Sequence, residues 1–362
     1  MENGFKLILT LMIGMVGGLL GKKYKLPAGA LVGAILSVAF CNVLTQQMYF
    51  PSDLRTYVQI ASGAFVGSRI KKSDLSGLSY LASSAAVLVA GMFVMNVVLG
   101  SFLYYTTDLD IATAFYGTAP GGMQDMGLIS QDFGADPVMV SVIQLVRLVF
   151  VLSFFPLFYR LVSKGTKLNE TKHSCEKEVS LVKQDQLVKE EVLSKKEKIK
   201  RFLCTVVLAW IGGKTFKCLG ISGGALTGSM TFVVGFGMFT GKVFFPRRIR
   251  TFIQLFAGAY IGAQMNANSL NHMKTLVLPL IGLCIGLIVF TYLISLGVRK
   301  CSKLEKVTCM LMSTPGGLSE MTLLAEEFDC NVPKVVLMHT VRVLVVISLF
   351  PTLLGALMKI FI

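Results

Sequence analysis

Apolar runs separated by short basic segments recur along the whole chain. They cover residues 7–20, 28–44, 78–105, 138–159, 202–211, 225–240, 276–298 and 335–362. Several reach the roughly 20 residues that a helix needs to cross a bilayer, and the shorter ones would cross only with tilt or flanking help. Because helices satisfy their own backbone hydrogen bonds in lipid, the pattern predicts an all-α integral membrane protein.

Composition and charge agree with this prediction. The chain has 54% hydrophobic and only 15% charged residues, whereas a soluble domain carries about a quarter charged residues. Its net charge of +15 comes from basic residues at the ends of apolar runs and in a polar linker, as in cytoplasmic loops. We therefore expect anionic lipid, and no nucleic acid, as the partner of this charge.

The cysteines and histidines predict neither an enzyme nor a cofactor. The eight cysteines show no CxxC spacing, and the three histidines are scattered. Cysteines inside apolar runs behave as small hydrophobic residues. We therefore expect no disulfide framework, no metal site and no cofactor.

One passage occurs twice, 195 residues apart. Residues 118–126 read TAPGGMQDM and residues 313–321 read STPGGLSEM. The same offset relates RTYVQ at 55–59 to RTFIQ at 250–254. The sequence therefore predicts two homologous membrane repeats, residues 1–162 and 201–362, joined by a basic cytoplasmic linker at 163–200.

The basic segments also predict an inverted arrangement of the repeats. If residues 22–25, residues 71–72 and the linker lie inside, the first half starts outside and makes an odd number of crossings. Placing residues 247–250 and 299–306 inside as well requires the opposite orientation in the second half. We expect about ten crossings of the plasma membrane and two broken or re-entrant segments, near 111–135 and 306–330. A parallel bundle of twelve crossings is the alternative.

The repeated Pro-Gly-Gly passage is the candidate site. Proline cannot donate a backbone hydrogen bond, and glycine adopts backbone angles that other residues avoid, so the helix should break there. Broken helices between inverted repeats form substrate and ion sites in transporters. The residues expected to bind a substrate or ion are Thr118, Pro120, Gly121, Gly122, Gln124, Asp125, Gln144 and Arg147, with Thr314, Pro315, Gly316, Gly317, Ser319, Glu320, His339 and Arg342.

The charged members of this set allow two interpretations. Asp125 and Glu320 correspond across the repeats, and a carboxylate at membrane depth is a functional candidate. Each is followed 22 residues later by an arginine, Arg147 or Arg342, so a buried and purely structural ion pair is the alternative. Gln144 and His339 precede these arginines by three residues and are either ligands or hydrogen-bonded helix residues.

With these residues in view, the chain resembles the AbrB-type duplicated membrane protein family. The resemblance rests on the two Pro-Gly-Gly passages, each followed by Gln144 and Arg147 or by His339 and Arg342. Members carry two labels, a regulator of gene expression and an ammonia monooxygenase, and the resemblance implies both. The residues support neither, since the sequence offers no cluster of metal ligands and no soluble DNA-reading module.

The sequence favours a secondary transporter of a small polar or anionic solute, coupled to H⁺ or Na⁺. Asp125 and Glu320 would bind the coupling ion, and Arg147 and Arg342 would hold the anion or neutralise the carboxylates. A membrane sensor that affects gene expression indirectly, with the linker as its output, is the alternative. An oxidoreductase is the least favoured hypothesis.

Overall fold

The structure, a computed structural model, describes residues 2–70, 78–163, 195–266, 269, 275–328 and 330–361. These residues form fifteen α-helices and, within the same ranges, no strand. The helices are α1 Glu2–Lys23, α2 Gly29–Thr45, α3 Ser52–Gly67, α4 Leu78–Thr106, α5 Ile111–Thr118, α6 Met123–Ser130, α7 Pro137–Ser163, α8 Lys195–Cys218, α9 Gly224–Thr240, α10 Arg247–Gln264, α11 Val277–Ser302, α12 Lys306–Ser313, α13 Leu318–Glu327, α14 Val332–Ser348 and α15 Phe350–Phe361. A short 3₁₀ turn at Gln131–Phe133 follows α6.

The long apolar helices are those of a membrane protein. In the described ranges, four helices are long and apolar enough to cross a bilayer: α1, α4, α7 and α11. The pair α14 and α15 would make a fifth span, although it bends by 47°. The expected single run at 335–362 is therefore two helices. The count of ten crossings remains a prediction.

The predicted linker lies largely outside the described residues. Its last residues, 195–200, belong to α8, so that the short apolar run at 202–211 is the middle of a helix of 24 residues. Residues 164–194, which hold most of the linker, are not described.

Two close helix pairs begin the two halves. In the α1–α2 pair, Gly17 lies against Gly33 and Gly21 lies against Gly29, so these helices run antiparallel. The α8–α9 pair has the same form, with Gly212 against Gly228. Small residues let helix backbones approach to contact distance, as is typical of membrane helices.

The third helix of each half packs on the second helix of the other half. Gly258 of α10 lies against Leu31 and Ala34 of α2, and Gly63 of α3 lies against Leu226 and Met230 of α9. Helices α1–α3 and α8–α10 therefore form one interlocked bundle. Neither half could bury these faces without the other.

The remaining helices form a second group, which carries both Pro-Gly-Gly passages. Helix α4 packs against α11, α5 and α6 pack against α7, and α12 and α13 pack against α14. The two groups meet where α6 lies on α3 and α10. The site is built in this second group, beside that junction.

Candidate functional site

Both Pro-Gly-Gly passages break a helix, and the two breaks have nearly the same backbone. Helix α5 ends at Thr118, and the chain is extended at Ala119 (φ −56°, ψ 135°) and at Gly122 (φ −80°, ψ 140°). Helix α12 ends at Ser313, with Thr314 (φ −73°, ψ 129°) and Gly317 (φ −71°, ψ 149°) in the matching places. Each break is followed by a second short helix.

The glycines of the breaks leave room for neighbouring side chains, whereas the sequence predicted that they adopt backbone angles that other residues avoid. None of Gly121, Gly122, Gly316 and Gly317 has a positive φ, so no unusual backbone angle requires glycine. A Cβ on Gly121 would lie 2.6 Å from the Met126 side chain, and one on Gly316 would lie 2.5 Å from that of Met321. The methionine at the end of each repeated passage fills the room that the first glycine leaves.

Two buried arginines hold the breaks. Arg147 donates from its Nη atoms to the carbonyl oxygens of Ala119 (2.5 Å) and Gly121 (2.7 Å). Arg342 donates in the same way to Thr314 (2.9 Å) and Gly316 (2.5 Å). These four carbonyls stand at or just beyond a helix end and lack intrahelical partners. The planar guanidinium fork bonds two of them at once.

The residues that precede the arginines by three positions support the same breaks. Gln144 donates from Nε2 to the carbonyl oxygens of Tyr116 (3.1 Å) and Ala119 (2.9 Å). His339 donates from Nε2 to the carbonyl oxygen of Leu311 at 3.0 Å. Both side chains are fully buried. These two contacts fit the interpretation of Gln144 and His339 as hydrogen-bonded helix residues.

The carboxylates do not form the ion pair that was the structural alternative. Asp125 is buried and accepts a hydrogen bond from Ser62 Oγ at 2.6 Å. Glu320 interacts electrostatically with Arg342 but has no hydrogen bond or ion pair within the described part of the chain. Each carboxylate stands in the first turn of its short helix, where the helix dipole favours negative charge. Each also lies over the second glycine of its break.

The two breaks belong to one assembly. Arg147 and Arg342 are close enough to interact electrostatically. Tyr159, on the same helix as Arg147, makes a hydrogen bond between its hydroxyl and that of Thr314 in the second break. Helix α7 therefore contacts both breaks, so that the two Pro-Gly-Gly passages, far apart in sequence, are parts of one buried centre.

Comparison with known proteins gives the same family for both halves. The family described as "Transition state regulatory protein AbrB" matches residues 1–163 and 173–358. The chain belongs to the AbrB family. Together the matches cover the sequence except for residues 164–172 and 359–362.

Two curated relatives of this AbrB-family chain span almost the same length. One, "Uncharacterized protein YhjN" of Bacillus subtilis (strain 168), is 26% identical over 369 residues, covering 97% of this chain and 92% of the relative. Another, "Putative regulator AbrB" of Escherichia coli (strain K12), is 20% identical over 338 residues, covering 91% and 89%. Neither name specifies a solute or a reaction.

The AbrB-family chain brings nearly all of the candidate residues together at the two breaks. Gln124 lies next to Asp125 and donates from Nε2 to Ser62 Oγ at 2.6 Å. Pro120 and Pro315 are both buried in the breaks. The side chain of Ser319 lies outside the described residues.

Three residues of the site escaped the sequence analysis. Ser62 continues the polar face of α3 that Arg55 and Gln59 begin, so helical spacing could have indicated it. Asn96 is fully buried in α4 and donates from Nδ2 to the Phe115 carbonyl and to Thr118 Oγ1, both at 2.9 Å. Tyr159 bonds the opposite break. Asn96 and Tyr159 are polar residues inside long apolar runs, a signal that was present but weak.

Proposed function

We propose that this protein is a secondary transporter of a small anionic solute, coupled to H⁺ or Na⁺ and working by alternating access. The observation that carries the proposal is the pair of buried guanidinium groups at the two breaks. Arg147 and Arg342 are 6% and 3% exposed, and neither has a carboxylate ion pair within the described ranges. A buried charge is costly unless it is paired, and an anionic solute would supply the missing charge.

The polar atoms around the arginines support this choice. Among the described residues, Nε of Arg147, Nε of Arg342, Oε1 of Gln144, Nδ1 of His339 and Oδ1 of Asn96 are buried and have no hydrogen-bond partner. Buried polar groups in folded proteins are nearly always bonded, so each unbonded group calls for an explanation. A solute with anionic and hydroxyl or amine groups would provide partners for several of them.

The carboxylates are the proposed sites of the coupling cation. Asp125 accepts a hydrogen bond from Ser62 of α3. A cation bound to Asp125 would therefore alter the contact between the two helix groups at their junction. Glu320 is only partly buried and couples electrostatically to Arg342. A bound cation would neutralise negative charge near the arginines and so strengthen their attraction for an anion. Binding of the cation and binding of the anion would therefore favour each other.

The helix directions support the inverted arrangement that this mechanism needs. The contacts of Gly258 and Gly262 advance along α2 in the same sense, so α10 runs parallel to α2. Helix α3 runs antiparallel to α10, since Arg55 near its start lies over the ring of Tyr260 near the end of α10. Its counterpart α10 would therefore face the opposite way, as in transporters with inverted repeats. We propose about ten crossings on this basis, with the linker in the cytoplasm.

A binding and flux experiment tests the proposal. Purified protein would be screened by thermal unfolding against small carboxylates, phosphate, amino acids and ammonium, with and without Na⁺ and at several pH values. A stabilising anion would then be tested for uptake into proteoliposomes. We expect Asp125→Asn and Glu320→Gln to abolish the cation dependence, and Glu197→Gln, at an exposed pair in α8, to leave it unchanged.

The outcomes separate the transporter from its alternatives. Stabilisation by an anion, raised by a cation and accompanied by flux, supports the proposal. Stabilisation without flux would instead favour ligand sensing. No response to any anion would contradict the proposed role of Arg147 and Arg342.

A further inference from the structure

A cavity of about 250 Å³ lies where α2 and α10 begin, with Lys22, Arg250 and Gln254 in its wall. Arg250 interacts electrostatically with Asp125. Neither Arg250 nor Gln254 makes a hydrogen bond or an ion pair with any described residue. The cavity is therefore polar and basic, and its side chains have unused hydrogen-bonding capacity.

The matching place in the other half is filled. Arg55 and Gln59 correspond to Arg250 and Gln254 at the offset of 195. Arg55 forms an ion pair with Asp132 at 2.7 Å, and Gln59 donates to Asp132 (3.1 Å) and to the Leu128 carbonyl (2.8 Å). Gly223, which matches Ala28 of the cavity wall, has Ile129 against it. The end of α6 occupies this place.

The counterpart of that occupant is elsewhere in the molecule. Glu327 corresponds to Asp132, but it pairs with Arg160 at 2.8 Å on an exposed surface. Leu323 corresponds to Leu128, and Leu323 is 65% exposed whereas Leu128 is fully buried. Within the described residues, the end of α13 thus carries a carboxylate and a leucine at the positions of Asp132 and Leu128, and neither of them is bonded to α3 or α10.

We propose that the cavity at Arg250 is the docking site for the end of α13, residues 323–328, in a second conformation of this protein. There Glu327 pairs with Arg250, Gln254 donates to the Leu323 carbonyl, and Leu323 becomes buried. In that conformation Asp132 leaves Arg55. The inference rests on the proposed function, since it identifies the two docking events with the two states of alternating access.

The two docking events exclude each other for a structural reason. Helix α7 holds the first break through Arg147 and the second through Tyr159, so α6 and α13 move together relative to α3 and α10. In the proposed inverted arrangement, Arg55 and Arg250 stand at opposite membrane faces. Docking at Arg55 closes one face, and docking at Arg250 closes the other.

Cysteine cross-linking with a short bifunctional maleimide tests this proposal without any solute. A direct disulfide needs Cα atoms within about 7 Å of each other, which is less than the span of two long side chains joined end to end in an ion pair. The native cysteines are first replaced. Two cysteine pairs then report the present conformation: Arg55→Cys with Asp132→Cys, and Arg160→Cys with Glu327→Cys. The pair Arg250→Cys with Glu327→Cys reports the second one. We expect all three pairs to be cross-linked, the last one more slowly. Adding Asp132→Asn to the last pair should accelerate it several-fold, whereas Asp108→Asn, at an exposed loop carboxylate, should not.

A second measurement leaves Arg250 and Glu327 intact. A single cysteine at Leu323 should react readily with a water-soluble maleimide, and Asp132→Asn should slow that reaction several-fold as the α13 end becomes buried. If the Arg250–Glu327 pair is never cross-linked while both reference pairs are, the docking proposal is wrong. An equal effect of Asp108→Asn also overturns it. Cross-linking of the Arg250–Glu327 pair together with a negative solute screen would support docking and reject the transporter.

Discussion

Arg147 and Arg342 cap the ends of broken helices in the interior of the protein. Each guanidinium group replaces the water that would otherwise bond the carbonyls of a broken helix. An unbonded buried carbonyl costs about 1–3 kcal/mol. The arginines therefore stabilise the breaks, and their positive charge remains available to an anion because no carboxylate of the described residues forms an ion pair with them.

A substitution of Arg147 by lysine tests this role. A lysine ammonium cannot bond the Ala119 and Gly121 carbonyls in one plane. We expect Arg147→Lys to lower the free energy of unfolding by about 1.5–3 kcal/mol, measured as the unfolding midpoint of detergent-purified protein, and to abolish anion binding. The control is Arg201→Lys, which changes a surface pair with Glu197 and should cost less than about 1 kcal/mol. Equal effects of the two variants would argue against a special role of Arg147.

At the scale of elements, the first two helices of each half pack with their backbones in close contact. Gly17 with Gly33, and Gly21 with Gly29, bring the backbones of α1 and α2 into contact. The glycines four residues apart in α2 (Gly29 and Gly33) and in α9 (Gly224 and Gly228) therefore have a packing function. The break segments follow another rule, since their glycines leave room for Met126 and Met321.

Alanine substitutions distinguish a packing glycine from a tolerant one. A Cβ at Gly33 would lie 2.9 Å from the Gly17 carbonyl carbon, so Gly33→Ala forces α1 away from α2. We expect a loss of about 1–3 kcal/mol, seen as an unfolding midpoint lowered by several degrees. Gly235→Ala is the matched control, because nothing lies within 4 Å of its added Cβ and alanine favours a helix. A tolerated Gly33→Ala would show that the two helices have room to separate.

For the whole molecule, helices of one half pack on helices of the other, and together they form two helix groups. Lys22 lies in the cavity wall with Arg250, and Lys217 donates to Thr56 Oγ1 at 2.8 Å. The end of each half's first helix thus adjoins the start of the other half's third helix. Arg55, near the start of α3, also lies over the ring of Tyr260, near the end of the matching helix α10. These two corresponding helices therefore run in opposite directions, which supports opposite membrane orientations for the two halves.

Side-specific labelling tests the orientation. Single cysteines at Tyr24 and Leu219, both exposed, would be introduced after the native cysteines are replaced. We expect a membrane-impermeant maleimide to label position 219 in intact cells and position 24 only in inverted vesicles. Labelling of both positions from the same side would instead support the parallel bundle.

The sequence by itself determined the helical membrane class, the family and the positions of both helix breaks. These follow from local properties: apolar runs need lipid or a core, and proline with two glycines ends a helix wherever it occurs. None of these inferences needed to know which helices are neighbours.

Only the tertiary structure decided the partners of the polar residues. The matched spacing of Asp125 with Arg147 suggested an ion pair, yet Arg147 bonds carbonyls and Asp125 bonds Ser62. It also decided that Asp132 meets Arg55 while Glu327 meets Arg160. Equivalent residues in two similar sequences can have different neighbours, because a partner is set by how helices distant in sequence pack together.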